Sequence, residues 1–233
     1  GGYFMATAAR ALSEYLEHKD PLSITGHYLS RVEPGKALLE VEKLNIGRSV
    51  STASLKFIQD GEEKIRFTSC FTNFSKAKGD TLREVEAPNF PPIEDCIHMP
   101  YIKGFTPVLE KQLDRRFAPY SNWWDEERPR ERAFLDAYYA WPGGESIDLF
   151  SVIFFLDTMS PPIFNRLGSR GWVPSLELTL HLKQIPSPGP LRMRGKTDFV
   201  TSGFIEEDDE IWDVEGNLIG QARQMAKLRI PKS

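Results

Sequence analysis

A segment of this chain occurs twice. Pro21–Gly35 reads PLSITGHYLSRVEPG and Ser175–Gly189 reads SLELTLHLKQIPSPG. Thr25 matches Thr179, His27 matches His181 and Gly35 matches Gly189, at the same offset each time. Gln59-Asp60-Gly61 and Val214-Glu215-Gly216 match after a one-residue slip. A segment used twice implies two similar subdomains packed together, with a pocket where unlike halves meet. Each half is then free to specialise.

The 233 residues, 40% of them hydrophobic, suffice for one large core or for two domains of about 100 residues each. The repeat favours two. A net charge of −4 and a pI near 5.7 provide no electrostatic footprint for nucleic acid. The densest basic pair, Arg115-Arg116, sits beside Asp114. The most apolar run, Leu149–Leu156, is too short to span a bilayer and contains Ser151. Cys70 and Cys96 form neither a CxxC pair nor a disulfide framework, so a reducing compartment, the cytoplasm, is expected. The four histidines show no HxH or HxxxH spacing, and no metal site is expected. No GxSxG elbow occurs, which argues against a serine hydrolase of the α/β-hydrolase type.

Periodicity predicts a helix over Tyr3–His18, with Phe4, Ala8, Ala11, Leu12 and Leu16 on one face. Alternating runs predict strands at Leu22–Leu29, Ala37–Leu44, Ser51–Gln59 and Glu63–Phe74, the last two joined by an Asp60-Gly61 hairpin. Ala87–Pro92 cannot hold a regular ladder. The boundaries are a first repeat at 1–78, a linker at 79–104 and a second repeat at 105–233. In the second repeat, strands are expected at Phe105–Phe117 and Ala133–Trp141, with a charged loop, Asn122–Arg132, between them. A helix over Leu149–Phe155 follows, and Pro161-Pro162 interrupts it or begins another turn. Further strands are expected at Ser175–Leu182, Leu191–Lys196, Val200–Asp209 with Ile211-Trp212, and Leu218–Arg229. Ala133–Trp141 has no counterpart ahead of Gly1, so the given sequence is expected to start just after such a strand.

Three groups of residues carry a family resemblance. They are Gly1-Gly2-Tyr3 opening a helix; Gly47-Arg48-Ser49-Val50-Ser51-Thr52 leading into Gln59-Asp60-Gly61; and Ile211–Leu218 leading into Gln221-Ala222-Arg223-Gln224. Together they resemble the thioesterase-like superfamily, the double-hotdog group related to bacterial acyl-CoA thioesterase II. The resemblance implies an α+β fold in which a central helix is wrapped by a curved antiparallel sheet, twice. It implies hydrolysis of a small-molecule acyl thioester by direct attack of water, with CoA as part of the substrate and no other cofactor. It also implies further association into a homo-oligomer. Non-hydrolytic hotdog enzymes acting on an acyl or polyketide intermediate, and an acyl-binding protein without catalysis, are the alternatives.

Gln224 matches the family's catalytic glutamine, whose amide can orient a water without titrating. Its neighbours on one strand face are Ala222 and Ala226, which suits a crowded pocket; a solvent-facing polar residue is the plainer reading. By the resemblance Glu177 takes the place of the catalytic aspartate as general base, one methylene longer. It shares a face with Thr179 and His181 opposite a leucine face, so a solvent-facing charge is the competing reading. Asp157 is the rival carboxylate, either pocket-lining or a cap for a turn at Pro161. Thr201 and Ser202 match the region of the family's hydroxyl residue, although a strand threonine is common. The backbone N–H groups of Gly1, Gly2 and Tyr3 at a helix start are expected to bind the thioester carbonyl. His27 and His181 are equivalent by the repeat, which points to a structural place. Ser23 stands opposite Glu177 and Ser69 opposite Gln224, so one site per chain, in the second half, is expected.

Overall fold

The computed structural model describes residues 1–101, 103, 106, 108–125, 127, 132–168 and 172–228. The first half is α1 (Gly2–Tyr15) followed by β1 (Asp20–Tyr28), β2 (Leu38–Ile46), β3 (Ser51–Gln59) and β4 (Glu62–Thr72). The second half contains β5 (Ile97–His98), β6 (Asp114–Phe117), β7 (Phe134–Ala140), α2 (Leu149–Phe155), α3 (Ile163–Leu167), β8 (Ser175–Leu182), β9 (Leu191–Lys196), β10 (Val200–Thr201), β11 (Phe204–Trp212) and β12 (Leu218–Lys227). One antiparallel sheet runs in the order β2-β3-β4-β1-β8-β12-β11-β9-β7-β6-β5, with β10 paired to β11. Its inner face packs on the helices, and α1 and α2 pack on each other. None of the described helices is long and apolar enough to cross a membrane.

α1 forms because Met5, Ala8, Ala9 and Leu12 recur at helical spacing and are all buried. It ends at Tyr15, three residues before the predicted His18. The Lys19 ammonium folds back onto the carbonyls of Ser13 (2.8 Å) and Leu16 (2.6 Å) and takes up acceptors that the helix end leaves open. α2 starts on a capping box: Ser151 N–H donates to Asp148 Oδ1 (2.7 Å), and Asp148 N–H donates back to Ser151 Oγ (3.4 Å). Pro161-Pro162 does begin a new turn, since Pro162 leads into α3.

The halves meet along β1 and β8. Their pairing runs from Ser23 opposite His181 to His27 opposite Glu177, with Thr25 opposite Thr179 at the centre. These two threonines are 154 residues apart in sequence, the offset of the repeat. In an antiparallel pair, equivalent residues lie opposite each other only on a twofold axis, so Thr25 and Thr179 mark the pseudo-dyad. Their hydroxyls bond at 2.9 Å. Ser69 pairs with Ile24 as Gln224 pairs with Leu178, which makes Ser69 and Gln224 structural equivalents. β9 is flanked on its outer side by β7, whereas its counterpart β2 pairs only with β3 among the described residues.

Two predicted strands differ. Of Phe105–Phe117, Phe105 and Pro107 lie outside the described residues, Val108–Gln112 is a 3-10 helix and only Asp114–Phe117 is extended. The turn lets Glu110 fold back onto the guanidinium of Arg115, at 3.0 Å to Nε and 2.5 Å to Nη2. The run Val200–Asp209 is split by Ser202 and Gly203, both at positive φ (53° and 80°), which make a tight hairpin between β10 and β11. Arg229, at the end of the last predicted strand, and residues 126 and 128–131 of the charged loop lie outside the described residues.

Candidate active site

A cavity of about 350 Å³ opens where the start of α1 meets the chain leaving α2. Leu156–Pro161 forms one wall, and the inner faces of β8, β12 and β11 contribute Ser175, Gln224, Glu207 and Asp209. Met99, Leu113, Phe164 and Trp172 provide apolar surface. Arg115, almost fully buried, closes one side. Its guanidinium donates to the carbonyl of Thr158 and to Tyr139 Oη (3.2 Å), and its ion pair with Glu110 balances the buried charge. Burial pushes the Tyr139 hydroxyl up to about 12 despite that guanidinium, so it stays a neutral acceptor.

Asp157 follows α2 and points at the first turn of α1. Gly2 N–H donates to Asp157 Oδ2, and the Gly1 nitrogen lies 3.1 Å from the same oxygen. The approach is too close for a side chain. A Cβ on Gly2 would sit 2.7 Å from Asp157 Cβ and 2.9 Å from the Phe154 carbonyl. The Gly1-Gly2 pair therefore allows a helix N-terminus to hold a carboxylate, where free N–H groups and the helix dipole both favour negative charge. The predicted oxyanion donor Gly2 N–H is thus given to Asp157. The Tyr3 side chain is 62% exposed and does not line this cavity.

Gln224 lies on the inner face of β12 and its amide is held at both ends. Ser175 Oγ donates to Gln224 Oε1 at 2.6 Å, and Gln224 Nε2 donates to Glu207 Oε2 at 3.4 Å. Ser175 reaches this face through a bulge. Met225 pairs with Glu177 and Ala226 with Ser175, so Leu176 is the extra residue and the side chains flip across it. In a regular strand Ser175 would share the face of Glu177.

Glu207 and Asp209 are buried on the inner face of β11, between Ile205 and Ile211. Burial pushes both carboxyls well above their usual range. The Asp209 and Asp157 charges add to the effect on Glu207, and those of Asp208 and Asp157 to the effect on Asp209. No described group of three or more His, Cys, Asp or Glu is arranged to hold a metal ion.

The structure thus brings Asp157, Gln224 and Gly1 to one cavity, with Gly2 bonded to its carboxylate. It leaves Glu177 out. Glu177 shares a sheet face with Met225 and His27, whereas Gln224 shares one with Leu178, on the helix side. The Glu177 carboxylate accepts the Thr179 hydroxyl hydrogen, so Thr25 donates to Thr179, and Glu177 ends a hydroxyl chain on the pseudo-dyad. Thr201 and Ser202 are exposed in the β10–β11 hairpin and do not line the cavity. The hydroxyl beside Gln224 is that of Ser175, which sequence reasoning missed because the bulge leaves no trace in the alternation. Glu207 and Asp209 were missed too: apolar residues flank the acidic run on both faces, Phe204 and Trp212 on one and Ile205 and Ile211 on the other, so the sequence does not say which face is inner.

Comparison with known proteins agrees with this architecture. Residues 1–72 match the family described as acyl-CoA thioesterase N-terminal domain, and residues 93–228 match the acyl-CoA thioesterase C-terminal domain. The chain belongs to the acyl-CoA thioesterase family, with a double-hotdog fold. A structure from Thermobifida fusca YX, assigned as a candidate thioesterase II, is 27% identical with a TM-score of 0.89, over 98% of this chain and 86% of that one. A hot dog protein of unknown function from Alicyclobacillus acidocaldarius is 19% identical, with a TM-score of 0.83 over 100% and 88% of the two chains. The acyl-CoA thioesterase II TesB2 of Mycobacterium marinum is 15% identical, with a TM-score of 0.80 over 100% and 90%. No match was found among curated proteins.

Proposed function

We propose that this protein hydrolyses an acyl-CoA thioester, with Asp157 activating water and Gln224 and Ser175 holding it. The observation that carries this reading is that all three line the same cavity, Asp157 fixed by Gly2 N–H and Gln224 by Ser175 and Glu207. Asp157 takes a proton from water as the water oxygen bonds to the thioester carbonyl carbon. The carbonyl π electrons move to oxygen and form a tetrahedral oxyanion. Its collapse breaks the C–S bond, and the departing thiolate recovers the proton from Asp157. Free acid and CoA leave. Gln224 Oε1 and Ser175 Oγ have acceptor capacity left to orient the attacking water.

Hydrolysis of acyl-CoAs from short to long chain, read by thiol release, tests this. Asp157→Asn is expected to lower kcat/KM by about 10²–10⁴ and Gln224→Ala by about 10². Glu177→Gln is expected to stay near wild type. A folded protein that turns over no acyl-CoA, or loss of turnover in Glu177→Gln with Asp157→Asn active, would sink the assignment.

A further inference from the structure

The cavity wall holds a carboxyl that the proposed chemistry does not use, Asp209, two residues along β11 from the Glu207 that holds Gln224. Asp209, 2% exposed, lines the cavity. Its Oδ1 is buried and its carboxyl makes no hydrogen bond among the described residues. The room around it is built by its strand partners: Gly195 on β9 and Ala222 on β12 are the residues opposite it. A Cβ on Gly195 would collide with Asp209 Oδ1 and lie 3.1 Å from Pro162 Cγ and 3.2 Å from Met159 Cγ. Two residues along the same face, Glu207 has Gln224 as its one hydrogen-bond partner among the described residues, at 3.4 Å. A wall meant only for hydrocarbon would not bury an unsatisfied carboxyl, because the lost hydration is left uncompensated until something else bonds to it.

Taking the cavity as the acyl site proposed above, we infer that the acyl group it accepts carries a hydroxyl, bound by Asp209 with Glu207 beside it. A hydroxyl both donates and accepts, and it matches a carboxyl that keeps its proton. Burial among Asp208 and Asp157 favours that neutral form of Asp209. An ammonium would instead need an ionised partner. Arg115, the cationic side chain among the described lining residues, is already taken up by Glu110 and the Thr158 carbonyl. A site built to bond a hydroxyl rejects an analogue without it, because its own polar group is then left unpaired.

The test uses non-hydrolysable thioether analogues of CoA with matched acyl chains: unsubstituted, hydroxylated at successive positions, and amino-substituted. Binding is read by calorimetry on the whole chain, and kcat/KM on the corresponding thioesters is measured in parallel. The expected result is at least about tenfold tighter binding of one hydroxylated analogue over the unsubstituted one. That ratio should fall to near one in Asp209→Leu and survive in part in Asp209→Asn. Equal binding of the two by wild type, or preference for the amine, overturns the inference even if Asp209→Leu fails to fold. Hydroxyl preference in binding with no turnover of any thioester would leave the inference standing and remove the hydrolase reading. Turnover without hydroxyl preference would do the reverse.

Discussion

At the scale of single residues, surroundings set the four carboxylates in and around the cavity apart. Asp157 has a helix start aimed at it, Glu177 has a threonine hydroxyl, and Glu207 and Asp209 have little but burial. The last pair makes stability depend on pH with a definite sign. Their folded-state pKa values lie well above the unfolded values of about 4. Above about pH 4 the native state therefore holds more protons than the unfolded chain, and stability falls as pH rises toward the folded values. Replacing both by Glu207→Gln and Asp209→Asn should flatten that fall and raise the melting temperature at neutral pH. Melting curves from about pH 4.5 to 9 read it directly, and parallel slopes in wild type and the double variant would contradict the burial argument.

At the scale of elements, turns do more than connect. The run Ile211–Leu218 that carried part of the family resemblance closes the β11–β12 hairpin around Asp213. Asp213 Oδ1 accepts from the backbone N–H groups of Glu215 (3.1 Å) and Asn217 (2.8 Å), and Oδ2 from Ser187 N–H (3.2 Å) and the Asn217 amide (3.1 Å). Burial pushes this carboxyl up, but the Asn217 and Ser187 donors pull harder and leave it below its usual value. The stabilisation is present above the unfolded pKa of about 4 and is lost as pH falls through the lower folded value. Asp213→Ala leaves several half-buried donors unpaired and should cost about 2 kcal/mol in denaturant unfolding, with Asp213→Asn costing less. The same hairpin sets the registers of Gln224 and Glu207, so Asp213→Ala is also expected to lower turnover.

At the scale of the whole molecule, two halves share one frame and differ where chemistry is proposed. The pseudo-dyad at Thr25 and Thr179 places Ser69 where the other half has Gln224, and Ser23 where it has Glu177. Ser69 is spent on the Ala53 carbonyl at 3.3 Å, so the first half contributes a helix start and the second half the polar side chains. The two threonines are the one hydroxyl pair on the axis, which makes them a probe of how the halves are coupled. A double-mutant cycle of Thr25→Val and Thr179→Val should show a coupling of about 1 kcal/mol. Strict additivity would mean that the halves are joined by the backbone ladder and apolar packing alone.

The repeat and its offset were legible because equivalent strands keep equivalent residues: Thr25 and Thr179 were matched in sequence before they met in space. The helix starts, most strands, and the places of Asp157 after α2 and Gln224 on the last strand were legible because apolar periodicity and local turn chemistry are written in consecutive residues. Which of Asp157 and Glu177 lines the cavity was not. It depends on which sheet face looks toward the helices and on a bulge at Leu176, and both are set by long-range pairing. Thr201 and Ser202 lie outside the cavity because what read as continuous strand is a hairpin turn. Glu206–Glu210 is an unbroken run of acids, so alternation has no apolar contrast to reveal that Glu207 and Asp209 face inward. Only the packing of β11 beneath the cavity decides it, because burial is a property of the assembled sheet and its neighbours rather than of any segment alone.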